Sequence, residues 1–386
     1  MSRLQALHIG IVGACGRGRT FATALAQRPG QVCVQAVCDM DADALPAARD
    51  RFDAASCFQD YEEMLSQGQL DIVVIATPMH LHAQQSIQAL DAGLHVLCEV
   101  TPAVSVEECR QVVSAARQST GQYMLAENCN YTRQCLLVEE LVRQGLFGSI
   151  YYAEAEYLHE VRDLNERTKW RRRWQTGIDG ITYGTHALGP VLCWMPGERV
   201  HRVCCAGSGH HYEDPRGDNY HQDTHVMLAQ TEGGGLIKIR LDMVSTRPSV
   251  TTTYQLQGTT GCYESARRAD EQDRIWLTAL HDEPQSWGAL ADLEEQYFPT
   301  HWRDQLAAMA DQGTEGHSGS DAIMSLAFID ALLAGQPPPV DIDRAMDMSL
   351  PGLVSQESMR TQGAWLDVPD SRQWGPDSGQ LGTATT

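Results

Sequence analysis

Three glycines and one carboxylate carry the first chemistry in this chain. Gly13, Gly16 and Gly18 lie in the run Gly13-Ala14-Cys15-Gly16-Arg17-Gly18, directly after the apolar stretch 7–12. A strand that turns through glycines into a helix presents unpaired backbone N–H groups, a setting suited to a pyrophosphate. Gly13 is placed for the tight turn and Gly18 for close packing of the helix. Cys15 stands where a second glycine is usual, so Gly16 is expected to allow the close backbone approach. Asp39 ends the next apolar run, about 20 residues further on, where an acidic side chain accepts from ribose hydroxyls. It would repel a 2′-phosphate, and Met40 beside it offers no cation, so NAD is expected over NADP. A glycine-rich turn in an unrelated α/β domain would share the first motif alone. Far downstream, Tyr183 and His186 are three residues apart. On one helical turn they would share a face and could handle a proton together.

These side chains need elements to hold them. Helices are expected over 19–27, from Asp41 to about Phe52, and over a short stretch opening at Asp60. The run 71–76 is continuously apolar, as in a parallel strand buried on both faces. It ends at Thr77-Pro78, at the carboxyl edge where ligands bind in such sheets. His82 falls near the start of a helix reaching about Ala92, and the strand 94–98 leads to Glu99. A helix over 106–118 and a strand over 122–126 complete an α/β, doubly wound first domain, residues 1–126. Beyond Glu127 the pattern changes. After a helix over about 134–145, strand-like runs at 149–158, 200–206, 224–230, 236–244, 250–257 and 275–280 follow one another. They predict an α+β second domain, 127–368, with a large, mostly antiparallel open sheet. Helices over 296–312 and 321–333 and a short one from Asp343 complete it. The stretch 369–386, with Gly, Ser, Thr and Pro, reads as a flexible tail.

Composition narrows the function. Lys and Arg number 29 against 50 Asp and Glu, a formal charge of −21, which argues against a nucleic-acid backbone as partner. No segment approaches the ~20 apolar residues of a membrane span, and the start reads directly into the first strand without an export signal. Of the 12 cysteines, Cys33, Cys38 and Cys98 lie in strand-like runs and Cys109 and Cys135 in helix-like ones, with no C-x-x-C pair. They are expected to be reduced, buried hydrophobes in a cytoplasmic protein.

The glycine loop, Asp39, the Thr77 to His82 run and Glu99 resemble the Gfo/Idh/MocA oxidoreductases, a likeness that reaches to about residue 368. That family joins a Rossmann domain to a sheet domain whose open face covers the nicotinamide. Most of its members carry E-K-P with a catalytic Lys; here Glu99-Val100-Thr101-Pro102 lacks it. The chain is more similar to the NAD-dependent glycoside hydrolase branch, the α-N-acetylgalactosaminidase-like members, which have E-V at this place. Trp170-Arg171, the segment Asp179-Gly180-Ile181-Thr182-Tyr183-Gly184-Thr185-His186, Tyr157-Leu158-His159-Glu160-Val161-Arg162, Glu127-Asn128-Cys129-Asn130-Tyr131 and Gly316-His317-Ser318-Gly319-Ser320-Asp321 resemble its motifs. Asp179 replaces an Asn and Gly184 a Pro.

The resemblance implies NAD as cofactor, with Gly13, Cys15, Gly16, Arg17, Gly18, Asp39, Thr77, Pro78, His82, Glu99 and Asn128 around it. It implies Tyr183, His186 and His159 as catalytic residues, and Tyr131, Arg162, Trp170, Arg171 and His317 as contacts to a carbohydrate or glycoside. Tyr183, made more acidic by its histidine and the positive nicotinamide, would serve the hydroxyl proton. The same pair could instead be a core Tyr with a structurally bonded His, and His159 could simply cover the sheet. The expected reaction is oxidation of a ring hydroxyl, at C3, as the first step of redox-neutral cleavage. Net dehydrogenation and a silent NAD-binding protein are the alternatives. A homo-oligomer, dimer or tetramer, is expected, with no nucleic acid and no membrane. His221, Asp223 and His225 would share a strand face and could offer three N/O donors to zinc or manganese. Asp, Pro, Gly and Asn around them mark a surface loop, and no metal is expected.

Overall fold

The computed structural model describes residues 6–21, 24, 27–214, 217, 221–248, 251–280, 286–310 and 319–375. Contacts divide the chain into two compact units that are not collinear with the sequence. The first comprises Met1–Asn128, Gln305–Met346 and Ser371–Thr386, and the second Cys129–Asp304 and Asp347–Asp370.

The first unit holds six strands: β1 (Leu7–Val12), β2 (Val32–Cys38), β3 (Ser56–Phe58), β4 (Ile72–Ile75), β5 (His95–Glu99) and β6 (Tyr123–Ala126). All their pairings are parallel, in the order β3-β2-β1-β4-β5-β6. This is the doubly wound arrangement, and the order reverses between β1 and β4. Every β4 residue is buried, as a strand covered on both faces requires. Asp60 and Ser105 cap their helices by accepting from the N–H groups of Glu63 and Glu108.

Five expectations change here. The glycine loop runs into a 3-10 turn, Arg17–Phe21, and residues 22–23 and 25–26 of the expected helix lie outside the described residues. The next helix begins at Leu45, because Asp41 spends its carboxylate on the turn before it, accepting from Asp43 and Ala44. Cys33 is exposed, while Cys38, Cys98, Cys109 and Cys135 are buried; all twelve cysteines are unbridged. The helix Ser320–Leu333 joins this unit. It is buried from Ser320 through Ile329, being apolar all round, and its outer end is tied by Arg28 to Asp330 at 2.6 Å. The stretch after 369 is also no loose tail where it is described. Trp374 is buried under the Arg110 guanidinium, and Arg117 donates to the Ser371 carbonyl at 2.8 Å. Residues 376–386 lie outside the described residues.

The second unit carries β7 (Ile150–Leu158), β8 (Val200–Gly207), β9 (Thr224–Thr231), β10 (Leu236–Asp242), β11 (Thr252–Gly258), β12 (Gly261–Glu264), β13 (Arg274–Leu277), β14 (Gly288–Ala289) and β15 (Leu366–Asp367). They form one sheet in the order β14-β13-β12-β11-β7-β10-β9-β8-β15. Only the β7–β10 pairing among these is parallel. Ala153, Ala155 and Tyr157 of β7 point to the covered face. The helix Thr185–Trp194 lies there against β7 and β11, with all its residues buried except Cys193. Trp194 anchors it, donating to the Cys135 carbonyl at 3.1 Å and meeting Tyr254 and Tyr263 edge-on. The helix expected over 296–312 is two, Glu294–Tyr297 and Thr300–Ala310, parted at Phe298-Pro299 as proline demands. The helix at Asp343 is long, Ile342–Arg360, and takes Pro351 within it.

Candidate functional site

In the first unit the carboxyl ends of β1, β2, β4 and β5 bring the expected cofactor residues to one edge. Gly13 has φ +80°, and a Cβ there would lie 2.4 Å from the Ala76 carbonyl oxygen. Gly18 is equally constrained, its Cβ position being 2.7 Å from the Gly13 oxygen. Gly16 differs: a Cβ there would meet only the Gly13 oxygen, at 3.8 Å. Its open side leaves room for a close backbone approach. Asp39, just past β2, accepts from the Cys15 N–H at 2.9 Å and from the Asp41 N–H at 3.1 Å. Each oxygen keeps a further acceptor position for a ribose hydroxyl. Beside this carboxylate, burial and the Asp39 charge push the Cys15 thiol up to about 11. This edge fits a dinucleotide.

Thr77 and Pro78 follow β4 at the point of reversal, and the Thr77 hydroxyl donates to Gln85 at 2.5 Å. Glu99 ends β5, 6% exposed, with Arg17 Nε 2.7 Å from its Oε1. Asn128 donates its amide to Asp321 at 2.9 Å. His82 falls at the start of its helix, as expected. It is fully buried, with Nδ1 2.7 Å from the Thr101 oxygen and Nε2 2.7 Å from the Thr77 oxygen. Burial holds it below the ordinary histidine value, while these carbonyls pull the other way. It ties two strand-end loops together.

In the second unit four rings converge. Tyr183 and His186 meet edge-on with centroids 5.1 Å apart. Tyr157 lies 5.6 Å from Tyr183 and 5.2 Å from His186. His159 is 5.7 Å from Tyr157, its Nδ1 2.9 Å from the Tyr157 hydroxyl. Two expectations about placement are corrected. Tyr183 precedes the helix, which starts at Thr185, so the turn at Gly184 and not a shared helical face brings it to His186. His159 is one residue beyond β7, held by its N–H to the Asp242 oxygen at 2.9 Å. Tyr157 is the member that sequence reasoning passed over. Its i, i+2 spacing to His159 on a strand was the available signal. Burial, the largest effect, pushes the Tyr157 phenol well above its ordinary value, while His186 and Arg171 pull it down.

The loop before Tyr183 is laced in place. Ile181 N–H donates to Ser355 at 2.8 Å, the Thr182 hydroxyl to the Gln175 carbonyl, and Asn165 to Thr176 at 2.9 Å. Asp179 accepts from the Gln222 N–H at 2.7 Å, and His225 Nε2 lies 3.2 Å away. The contact to His225 holds that carboxyl well below the usual range. His221 packs edge-on against His225 at 4.8 Å, and burial drops it to about 4. Asp223 instead accepts from His211. His221, Asp223 and His225 therefore do not converge as one ligand set. Arg171 stacks on Trp170 at 4.4 Å and its charge is felt at Tyr157. Arg162 is engaged by Glu160 and Thr246 and lies over Tyr212, and Tyr131 packs edge-on against Trp302. The structure does not bring these two into the ring cluster through any of those contacts. His317 lies outside the described residues.

The family model described as Glycosyl hydrolase 109, C-terminal domain, matches residues 131–374. That described as Oxidoreductase family, NAD-binding Rossmann fold, matches residues 7–127. A Glycosyl hydrolase family 109 protein of Saccharopolyspora erythraea is 31% identical over 95% of this chain and 83% of its own. An Alpha-N-acetylgalactosaminidase of Shewanella oneidensis is 28% identical over 95% of this chain and 85% of its own. Among solved structures, a levoglucosan dehydrogenase in complex with NADH and levoglucosan superposes with a TM-score of 0.81 at 20% identity, over 95% of this chain and 100% of that one. At that identity the last likeness speaks for the fold alone.

Proposed function

The chain belongs to glycosyl hydrolase family 109 and is an NAD-dependent enzyme on the Gfo/Idh/MocA oxidoreductase fold; we propose on that premise that it cleaves a glycoside through transient oxidation at C3 of the sugar ring. The observation that carries this is the convergence of two tyrosine–histidine couples, Tyr183 with His186 and Tyr157 with His159. Simple dehydrogenation needs one base, for the hydroxyl proton. Cleavage by elimination needs a second, because the ketone acidifies the neighbouring C2–H and that proton must also be removed. NAD, held at the Gly13–Gly18 and Asp39 edge, would supply a reversible acceptor for the C3 hydride.

The protein's residues divide the remaining work. Gly13, Gly16, Gly18 and Asp39 hold the dinucleotide, with Cys15, Arg17, Thr77, Pro78, Glu99 and Asn128 around it. Tyr183, paired with His186, takes the C3 hydroxyl proton and gives it back. The Tyr157 oxygen takes the proton from C2 as its own phenol proton passes to His159 Nδ1, 2.9 Å away, and the group at C1 departs. Water then adds at C1, and a proton from the exchanged Tyr157–His159 couple is delivered to C2. Arg171 and Trp170 are proposed to contact the sugar. On this reading 1–126 hold the cofactor and 127–368 supply the chemistry, with the helix Ser320–Leu333 lent to the cofactor half. The relative's printed name supports a glycoside as substrate class; Asp179 and Gly184 are reasons not to carry over its sugar. Among the described residues no helix is long and apolar enough to cross a membrane. Twelve unbridged cysteines support a reducing, cytoplasmic setting, and the wide sheet supports pairing into a homo-oligomer.

The test is turnover of aryl glycosides with limiting NAD. Aglycone released in many-fold excess over NAD, with no net NADH, is expected. A ketosugar formed one-for-one with NADH would overturn the redox-neutral reading and leave a dehydrogenase.

A further inference from the structure

We infer that Asp321 is the positioning residue on which the NAD site is assembled, acting through Arg17, Glu99 and Asn128; the inference rests on the cofactor reading of that edge. Asp321 is fully buried in the first turn of the Ser320–Leu333 helix, after Gly319 in the left-handed region at φ +91°. Arg17 grips it with both ends of its fork, Nη1 to Oδ2 at 2.6 Å and Nη2 to Oδ1 at 2.7 Å. Asn128 donates to the same Oδ1 at 2.9 Å. Through Nε, 2.7 Å from its Oε1, Arg17 also holds Glu99. Nη1 reaches Thr20 at 3.0 Å.

Two side chains expected around the cofactor, Arg17 of the glycine loop and Asn128 after β6, thus meet on one carboxylate, and Arg17 links Glu99 at the end of β5 to them. That carboxylate comes from a helix some two hundred residues later in the chain than the nearest of them. The bidentate geometry fixes the plane as well as the position of the guanidinium, which a point charge does not. An acidic group in the first turn of a helix also sits favourably in the helix field. Arg17 is therefore turned onto carboxylates, and its contribution is to fix the glycine loop against Glu99. Asp321 does not need to touch the dinucleotide to decide how well it is held.

The test is NAD affinity of the full chain, measured by titration without any glycoside, alongside the unfolding midpoint without NAD. Asp321→Asn removes the charge at nearly constant size, and Arg17→Lys keeps the cation but loses the fork. Each should raise the Kd for NAD roughly tenfold or more, as expected for losing a charged, bidentate contact. The double variant Arg17→Met/Asp321→Asn should bind no more weakly than Arg17→Met alone, since the two act as one unit. A folded Asp321→Asn with the parent's Kd overturns the inference, as do independent, additive losses. A fall in midpoint with unchanged Kd would likewise reduce Asp321 to a structural role. Should Asp321→Asn fail to fold, Arg17→Lys decides by the same criterion. A parent chain that binds no NAD overturns the cofactor reading instead, so the two failures are distinct.

Discussion

At the scale of single residues, the roles proposed for Tyr183 and Tyr157 are separable. Tyr183→Phe should leave NAD binding intact and lower turnover by the ~100- to 10,000-fold typical of losing a general acid or base. Tyr157→Phe should still oxidise, so that rapid mixing shows NADH absorbance appearing without aglycone release. Equal loss of that transient in both variants would contradict the division of labour. Asp39→Ala should erode the preference for NAD over NADP, read by titrating both; tighter NADP binding by the parent chain would defeat the role given to Asp39. The glycines and Asp39 were legible in sequence because their chemistry is local, within one strand–turn–strand stretch. Tyr183 and His186 were legible as a pair, though for a helical face that the turn at Gly184 replaces. Asp321 was visible only as a letter in a motif, since its partners Arg17 and Asn128 are distant in sequence. That His82 is a buried tie between Thr77 and Thr101 was not legible, because a histidine at a helix start suits a ligand and a buried tie equally well.

At the scale of elements, periodicity gave the parallel strands and most of the sheet, while packing decided the rest. The helix Ser320–Leu333 sits with the first unit because an all-round apolar helix must be enclosed, which composition does not assign to either sheet. Trp374 hid an anchor in a stretch that composition marked as loose. The entry to β9 carries a prediction of its own. His221 is buried and held at about 4, below the ordinary ~6.5, so the unfolded chain takes up its proton first as pH falls. Its stabilising effect is complete above about pH 6.5 and is lost as pH drops toward 4, a change of about 3 kcal/mol. Asp179, depressed by its contact to His225, adds a further loss only below the ordinary carboxyl range. Urea unfolding from pH 7.5 to 4.5 should show this slope, and His221→Gln should flatten it. An unchanged slope in His221→Gln would remove His221 as its source.

For the molecule as a whole, the nine-stranded sheet leaves one broad face dressed with ion pairs such as Arg267 to Glu156 at 2.9 Å, beside a partly exposed Val226. A sheet this wide with one face on its helix is expected to pair with a second copy, so light scattering at micromolar concentration should return a dimer or tetramer, and a monomer would count against it. The proposed cleavage turns on the proton removed from C2. The most direct measurement is cleavage in D2O followed by mass and NMR analysis of the released sugar. Elimination predicts deuterium at C2, because the abstracted proton exchanges with solvent before water adds at C1. Released sugar without C2 deuterium, despite efficient cleavage and a strict need for NAD, would contradict it.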